Sequence, residues 1–258
     1  MTKIPPSTAI TLNITQGVAW ITLNRPPLNI LTLDMIRELD NLLNTVAERT
    51  WLKATVLAAN GKAFCAGVDV ADHTPDRVES MIREFGQLFT KLRTLPMPTI
   101  AMVQGAALGG GCELAVACDQ VLAAESAKFG QPEIKLGVFP PIAAALFPQL
   151  IGYQQTVRLL FSGETINAAE AARLGLVTYL AADDDIQATL GRLLAQFRGM
   201  SAAALRMTKR AILYGSDLGV TALQEIEDLY LRDLMDTTDA LEGIQAFMEK
   251  RQPTWSDK

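Results

Sequence analysis

The sequence predicts an α/β fold of stacked sheet and helix layers that ends in an all-helical tail. Three observations predict it. Strand candidates and amphipathic helix candidates alternate from Ile10 to Cys118, a glycine triplet at 109–111 joins a strand to a helix, and from Asp183 onward every apolar stripe has helical spacing.

Ile10–Thr15 and Val18–Leu23 read as strands joined at Gln16-Gly17, a hairpin signal. Arg25-Pro26-Pro27 breaks the second strand. Apolar residues at 33, 36, 39, 42, 43 and 46 predict a helix over Leu33–Val46. Ala54–Leu57 reads as a short buried strand, and Lys62–Asp69 (KAFCAGVD) as a loop. A second helix is expected from Arg77, with Asp76 as N-cap and Glu79 at the capping-box position. Its stripe is Val78, Met81, Ile82, Phe85, Leu88, Phe89 and Leu92. Thr99–Val103 is the next strand. Past Glu133, Pro140 and Pro141 confine helix to the residues after them. A helix–loop unit over Gln155–Leu174 precedes a strand at Leu176–Leu180. Helices follow at Ile186–Phe197, Ala202–Leu213, Leu223–Met235 and Asp239–Glu249, the last with Asp239 and Glu242 at its start and Lys250 and Arg251 at its end. The chain divides into a mixed core, 1–197, and a helical region, 198–258, that packs on the core or on another subunit. No internal repeat stands out by residue identity.

Gln104–Glu133 carries the chemistry. A strand that runs into Gly109, Gly110 and Gly111 and then into a helix leaves backbone N–H groups free to bind negative charge. Glu113 sits on that helix, and Glu133 follows Gln131-Pro132. Two carboxylates near free amides suit proton transfer beside a developing oxyanion. Glycine triplets also serve as plain turns, and an acid among alanines also lies on solvated helix edges.

Composition narrows the classes. Hydrophobic residues make up 49 % and charged residues 20 %, as in ordinary globular proteins. A net charge of −5 offers no field for nucleic acid. No apolar run is long enough to span a membrane, and the opening MTKIPPST does not read as a signal peptide, so a cytoplasmic protein is expected. Cys65, Cys112 and Cys118 lack metal-ligand spacing, and His73 is the sole histidine, which argues against a zinc site, a disulfide framework or a histidine-based triad.

Three blocks, KAFCAGVD at 62–69, QGAALGGGCELAVACD at 104–119 and AKFGQPEIKLG at 127–137, together resemble the crotonase (enoyl-CoA hydratase/isomerase) superfamily, and the resemblance covers almost the whole chain. It implies a spiral of ββα turns, a C-terminal helical region that builds homotrimers or homohexamers, and an acyl-CoA thioester substrate with no cofactor beyond the coenzyme A that the substrate carries. It assigns the oxyanion hole to the N–H groups of Ala66 and Gly110, and catalysis to Glu113 and Glu133. Ala63, Ala66, Gly67, Val68, Asp69, Gly109 and Lys250 become candidates for binding substrate and CoA, and no metal is expected. Lys250 reads equally as a plain helix-end cation.

Where enoyl-CoA hydratases carry a glycine-rich PGAGGT stretch, this chain has Val138-Phe139-Pro140-Pro141-Ile142-Ala143-Ala144-Ala145. That block, DHTPD at 72–76 and the ending LYLRDLMDTTDALEGIQAFMEKR are similar to the cyclohexa-1,5-diene-1-carbonyl-CoA hydratases, which act after anaerobic benzoyl-CoA reduction. His73, Val138, Phe139 and Pro140 are therefore acyl-pocket candidates. Hydration of a cyclic dienoyl-CoA leads; a general 2-enoyl-CoA hydratase, a Δ-isomerase and a CoA-ester-binding scaffold stay open. Cys65 and Cys112 read as packing residues.

Overall fold

The computed structural model describes residues 9–74, 76–218 and 227–257. β1 (Ile10–Thr15) and β2 (Val18–Leu23) pair antiparallel from Ile10↔Leu23 to Thr15↔Val18. Gln16 and Gly17 both have positive φ, as a two-residue hairpin turn requires. Helix α1 (Leu33–Ala47) starts at Thr32, whose hydroxyl accepts from Met35 N–H, and buries Leu33, Ile36, Leu39, Leu43 and Val46.

Next come β3 (Ala54–Ala59) and β4 (Ala63–Cys65), then helix α2 (Val78–Arg93), β5 (Thr99–Val103) and β6 (Ala106–Leu108). Helix α3 (Gly110–Val116) leads into β7 (Gln120–Ala124) and β8 (Lys128–Gly130). The sheet strands order as β1-β2-β3-β5-β7, with β4-β6-β8 forming a second sheet. Consecutive strands thus alternate between sheets: β3 then β4, β5 then β6, β7 then β8. The pairings from β2 to β8 along each sheet are parallel, so each strand–strand–helix turn advances one place. That is a spiral of ββα turns, with the main apolar core between the layers.

Helices α4 (Pro141–Ile151) and α5 (Tyr153–Ser162) follow. Then β9 (Thr165–Asn167) closes the second sheet antiparallel to β8, α6 (Ala168–Leu174) turns the chain, and β10 (Tyr179–Ala181) joins β7. Helices α7 (Ile186–Arg198) and α8 (Ala202–Leu218), a π-helical segment at Leu229–Leu234 and a helix at Thr238–Glu249 complete the described chain. The expected helix over Leu223–Met235 falls partly outside the described residues.

Several expectations are corrected. Residues 62–69 are not all loop, because Ala63–Cys65 pairs with β6. Strands β6 to β9 went unread, since runs of three to five residues are too short to show a usable period. The strand expected at Leu176–Leu180 begins at Tyr179. Asp76 does not cap α2. Its carboxyl turns back to Thr74, Arg77 holds the cap position without a side-chain bond, and Glu79 pairs with Arg83 instead.

The tail is tied to the core by buried charge. Lys209, 7 % exposed on α8, reaches Asp119 at 2.7 Å and the Met97 carbonyl at 3.2 Å. Asp119 also accepts from the Thr99 N–H and hydroxyl. Asp239, at the start of the last helix as expected, is buried and accepts from Ser201, Ser256 and Asp257.

Asp119→Ala would leave the buried Lys209 ammonium with the Met97 carbonyl alone. Because Asp119 itself is partly exposed, a loss of about 1–3 kcal/mol in urea unfolding is expected, and a smaller loss for Lys209→Met, which fills the space without charge.

Candidate active site

The parallel pairing of three short segments builds the mouth of the site. β4 lies between β6 and the segment 27–31, which is bonded to it by Lys62 N–H on the Pro27 carbonyl, Ala66 N–H on Leu28, Leu31 N–H on Gly67 and Asp69 N–H on Leu31. Asn29, fully buried, spans the gap, with its side-chain amide donating to the Asn60 and Ala63 carbonyls. In an extended chain neighbouring residues face opposite sides. Because the Gly67 carbonyl and the Asp69 N–H both face Leu31, the Val68 N–H between them points the other way. It has no partner among the described residues.

This corrects one assignment. The Ala66 N–H is taken by the Leu28 carbonyl at 2.9 Å and is not available to a substrate oxygen; the open amide is two residues on, at Val68. Gly110 supplies its neighbour. It is the first residue of α3, so its N–H has no partner within the helix. A methyl group built on Gly110 would lie 2.7 Å from Val68 Cγ2, so only glycine leaves room for the Val68 side chain at this place.

Both glutamates face one cavity of about 470 Å³. Its wall includes Ala66, Gly67, Val68, Gly109 and Gly110 on one side, and Val138, Phe139, Pro140 and Pro141 on another. Val78, Met81, Ile82 and Phe85 of α2 close a third side. Sequence reading gave these residues only as part of the helix's apolar stripe. The signal was the width of that stripe; in the fold Ile82 is exposed where Met81 and Phe85 are buried. His73, at the end of the 3-10 turn Val70–His73, also lines the cavity.

Three candidates lie elsewhere. Ala63 is buried in β4, paired with Ala106. Asp69 caps the 3-10 turn through Ala71 N–H and stays off the cavity wall. Lys250 is an exposed residue with φ 56° at the end of the last helix and does not line the cavity of its own chain. Cys65 and Cys112 are buried, as packing residues should be, and burial pushes both thiols up, that of Cys65 to about 12.

Glu113 is 3 % exposed, one turn into α3. Its Oε1 accepts from the Ala143 N–H at 2.8 Å, in the first turn of α4. Burial pushes its carboxyl up to about 7; the amides of Ala143 and Ile142 pull down, and Glu133 pushes up. Glu133, on the 3-10 turn Pro132–Leu136, abuts Gly109 and is likewise raised by burial, with His73 pulling it down. One of its oxygens, Oε2, is buried without a partner. Two raised carboxyls in one apolar cavity, beside two open amides, can hold a water and move protons to and from it.

The enoyl-CoA hydratase/isomerase family model matches residues 13–258. The chain belongs to that family. It is 38 % identical over 237 residues to a cyclohexa-1,5-dienecarbonyl-CoA hydratase of Thauera aromatica, covering 92 % of each chain. It is 37 % identical over 242 residues to a Rhizobium meliloti protein named "Probable enoyl-CoA hydratase", covering 92 % of this chain and 94 % of that one. Its fold superposes on an enoyl-CoA hydratase of Mycobacterium smegmatis with a TM-score of 0.91 at 30 % identity, over 96 % of this chain and 99 % of that one. The ββα spiral is therefore the family's fold.

The raised carboxyl of Glu113 makes a stability prediction. A buried acid holds its proton between pH 4.5 and about 7, where the unfolded chain has lost it, so the native state loses relative stability as pH rises through that window. Glu113→Gln should therefore stabilise the fold at pH 8, by up to about 3 kcal/mol, and give no gain at pH 4. Thermal melts at the two pH values read the difference.

Proposed function

We propose that this protein adds water to a conjugated C=C of an acyl-CoA thioester, with cyclohexa-1,5-diene-1-carbonyl-CoA as its substrate. The observation that carries the reading is the pair of raised carboxyls facing one apolar cavity next to the unpartnered amides of Val68 and Gly110.

The thioester oxygen sits between the Val68 and Gly110 N–H groups, which stabilise the enolate as it forms; one such donor is worth about 3 kcal/mol. Glu113 and Glu133 hold the water. Glu113, with a carboxyl near neutral pH and an amide favouring its ionised form, takes the water proton as the hydroxyl attacks. Glu133 delivers its proton to carbon, and one proton then returns from Glu113 to Glu133. The proposal calls for no metal or cofactor beyond the coenzyme A of the substrate.

The acyl group is read from the wall. Phe139, Pro140 and Pro141 replace a flexible glycine-rich stretch with flat, stiff apolar surface, and α2 adds Met81 and Phe85. Such a slot suits a planar ring, and the name of the Thauera relative agrees. A general 2-enoyl-CoA hydratase is the second reading, favoured by a nearly equal identity to the Rhizobium protein. Self-association into trimers or hexamers through the region 198–258 is part of the proposal, supported by exposed Phe247, Met248, Leu231 and Ile212. Among the described residues no helix is long and apolar enough to cross a membrane, and the reading takes the protein as cytoplasmic.

Crotonyl-CoA and the cyclic dienoyl-CoA, assayed side by side in H₂¹⁸O, test this. Label should enter the product of the diene rapidly, with crotonyl-CoA slow. The reverse preference returns the protein to general enoyl-CoA hydration, label-free conversion to an isomerase, and no turnover of either to a binding protein. Glu113→Gln and Glu133→Gln should each lower kcat by about 10²–10⁴ while CoA-ester binding persists. Gly110→Ala, which drives a methyl into Val68, should cost about 10²-fold in kcat/KM by spreading the two amides.

A further inference from the structure

Three polar side chains face the cavity: Glu113, Glu133 and His73. The proposed hydration uses the first two and leaves the third unassigned. His73 is the only histidine in the chain, and among the described residues no lysine or arginine lines the cavity. Its position is fixed from behind. Nδ1 lies 3.1 Å from the Asp69 carbonyl oxygen, which can only accept, so the ring carries its proton there. Nε2 is left as the ring's free polar atom.

The groups around it can be named. On its own turn, Asp69 is occupied by Ala71 N–H, and Asp72 is buried with Leu33 N–H on one oxygen and Arg77 on the other. Helix α2 turns only Val78, Met81, Ile82 and Phe85 to the cavity. Glu113 has its Oε1 on Ala143. Among the described residues of the cavity wall, Glu133 alone keeps a buried oxygen without a partner.

We propose that His73 is a positioning residue for Glu133: it is the one side chain of the cavity wall that can set a positive charge against the glutamate left ionised in each turnover. This rests on the hydratase reading for its purpose, and on the cavity for its physics. In each cycle Glu133 gives a proton to carbon while Glu113 gains one from water, so an anion stands at Glu133 until that proton returns. A carboxylate in an apolar cavity is costly unless a cation faces it. The imidazolium does so without a permanent charge that would hold the anion between cycles. The electrostatic pull of His73 on Glu133 has this sign.

The sole histidine makes the test direct. In tag-free protein, a single imidazole ring signal is titrated by proton NMR in the wild type, Glu133→Gln and Glu113→Gln. The midpoint should fall by about half a unit to one unit in Glu133→Gln, a three- to tenfold change in the ionisation constant, and by less in Glu113→Gln. An equal midpoint in the wild type and Glu133→Gln overturns the proposal, whatever substrate the enzyme takes. The reciprocal arm is His73→Gln, which keeps a donor for the Asp69 carbonyl. With the cyclic dienoyl-CoA, its limb of log kcat against pH should move to higher pH with KM changed less than about twofold. A loss uniform across pH makes His73 plain wall and also overturns it. If the wild type turns over no acyl-CoA, the hydratase reading fails while the NMR arm still decides the pairing.

Discussion

The hydrogen bond from the Ala143 amide to Glu113 is the constraint on which the rest of the site depends. Burial raises this carboxyl, and without the amide donors that pull it back it would hold its proton to still higher pH. Ala143 can donate because it lies in the first turn of α4, where an N–H has no helical partner. Pro141 opens that turn with a preset φ and no N–H of its own, so the first amides the helix can offer, those of Ile142 and Ala143, both act on Glu113. The prolines therefore form part of the cavity wall and also start the helix that steadies the carboxylate.

The other half of the site depends on the direction of backbone amides. Segment 27–31 takes the Ala66 and Asp69 N–H groups and gives its own Leu31 N–H to Gly67, which leaves Val68 facing outward. Asn29 holds that segment against β4 with two bonds from one side-chain amide. No side chain of the 62–69 stretch is needed for this arrangement, although the packing beneath it, Phe64 and Cys65, is fully buried.

Much of this was legible in the sequence. The hairpin, α1 and α2 follow from periodicity and turn residues, because each has a partly exposed side that gives the pattern contrast, whereas β5, wholly buried, reads as an apolar run between Pro98 and the glycines. β7 has no such side. Its residues QVLAA are almost wholly buried between parallel neighbours, and only Asp119 and Gln120 separate their apolar run from that of α3. Glu113 and Glu133 could be singled out as acids set among small residues and glycines, and both reach the cavity. Choosing Val68 over Ala66 could not be done from residue types, since what differs is which way a backbone N–H points. That depends on pairing with residues some forty positions earlier. Likewise, the inner face of α2 could not be recognised as cavity wall until the spiral placed α3 and the 138–141 stretch opposite it.

The wall and the chemistry come from different elements. Glu113 and Gly110 sit on α3, Glu133 on the turn after β8 and Val68 beside β4, whereas the surface that an acyl group would touch belongs largely to α2 and to residues 138–141. Within that surface Val78 and Ile82 are only partly covered, while Met81 and Phe85 are anchored in the core. Drift at positions 82, 138 and 139, all exposed, therefore costs the fold little and leaves Glu113, Glu133, Val68 and Gly110 where they stand. A gene copy of this protein could exchange one acyl group for another by surface substitution alone, so new substrate preferences are more accessible to this scaffold than new reactions.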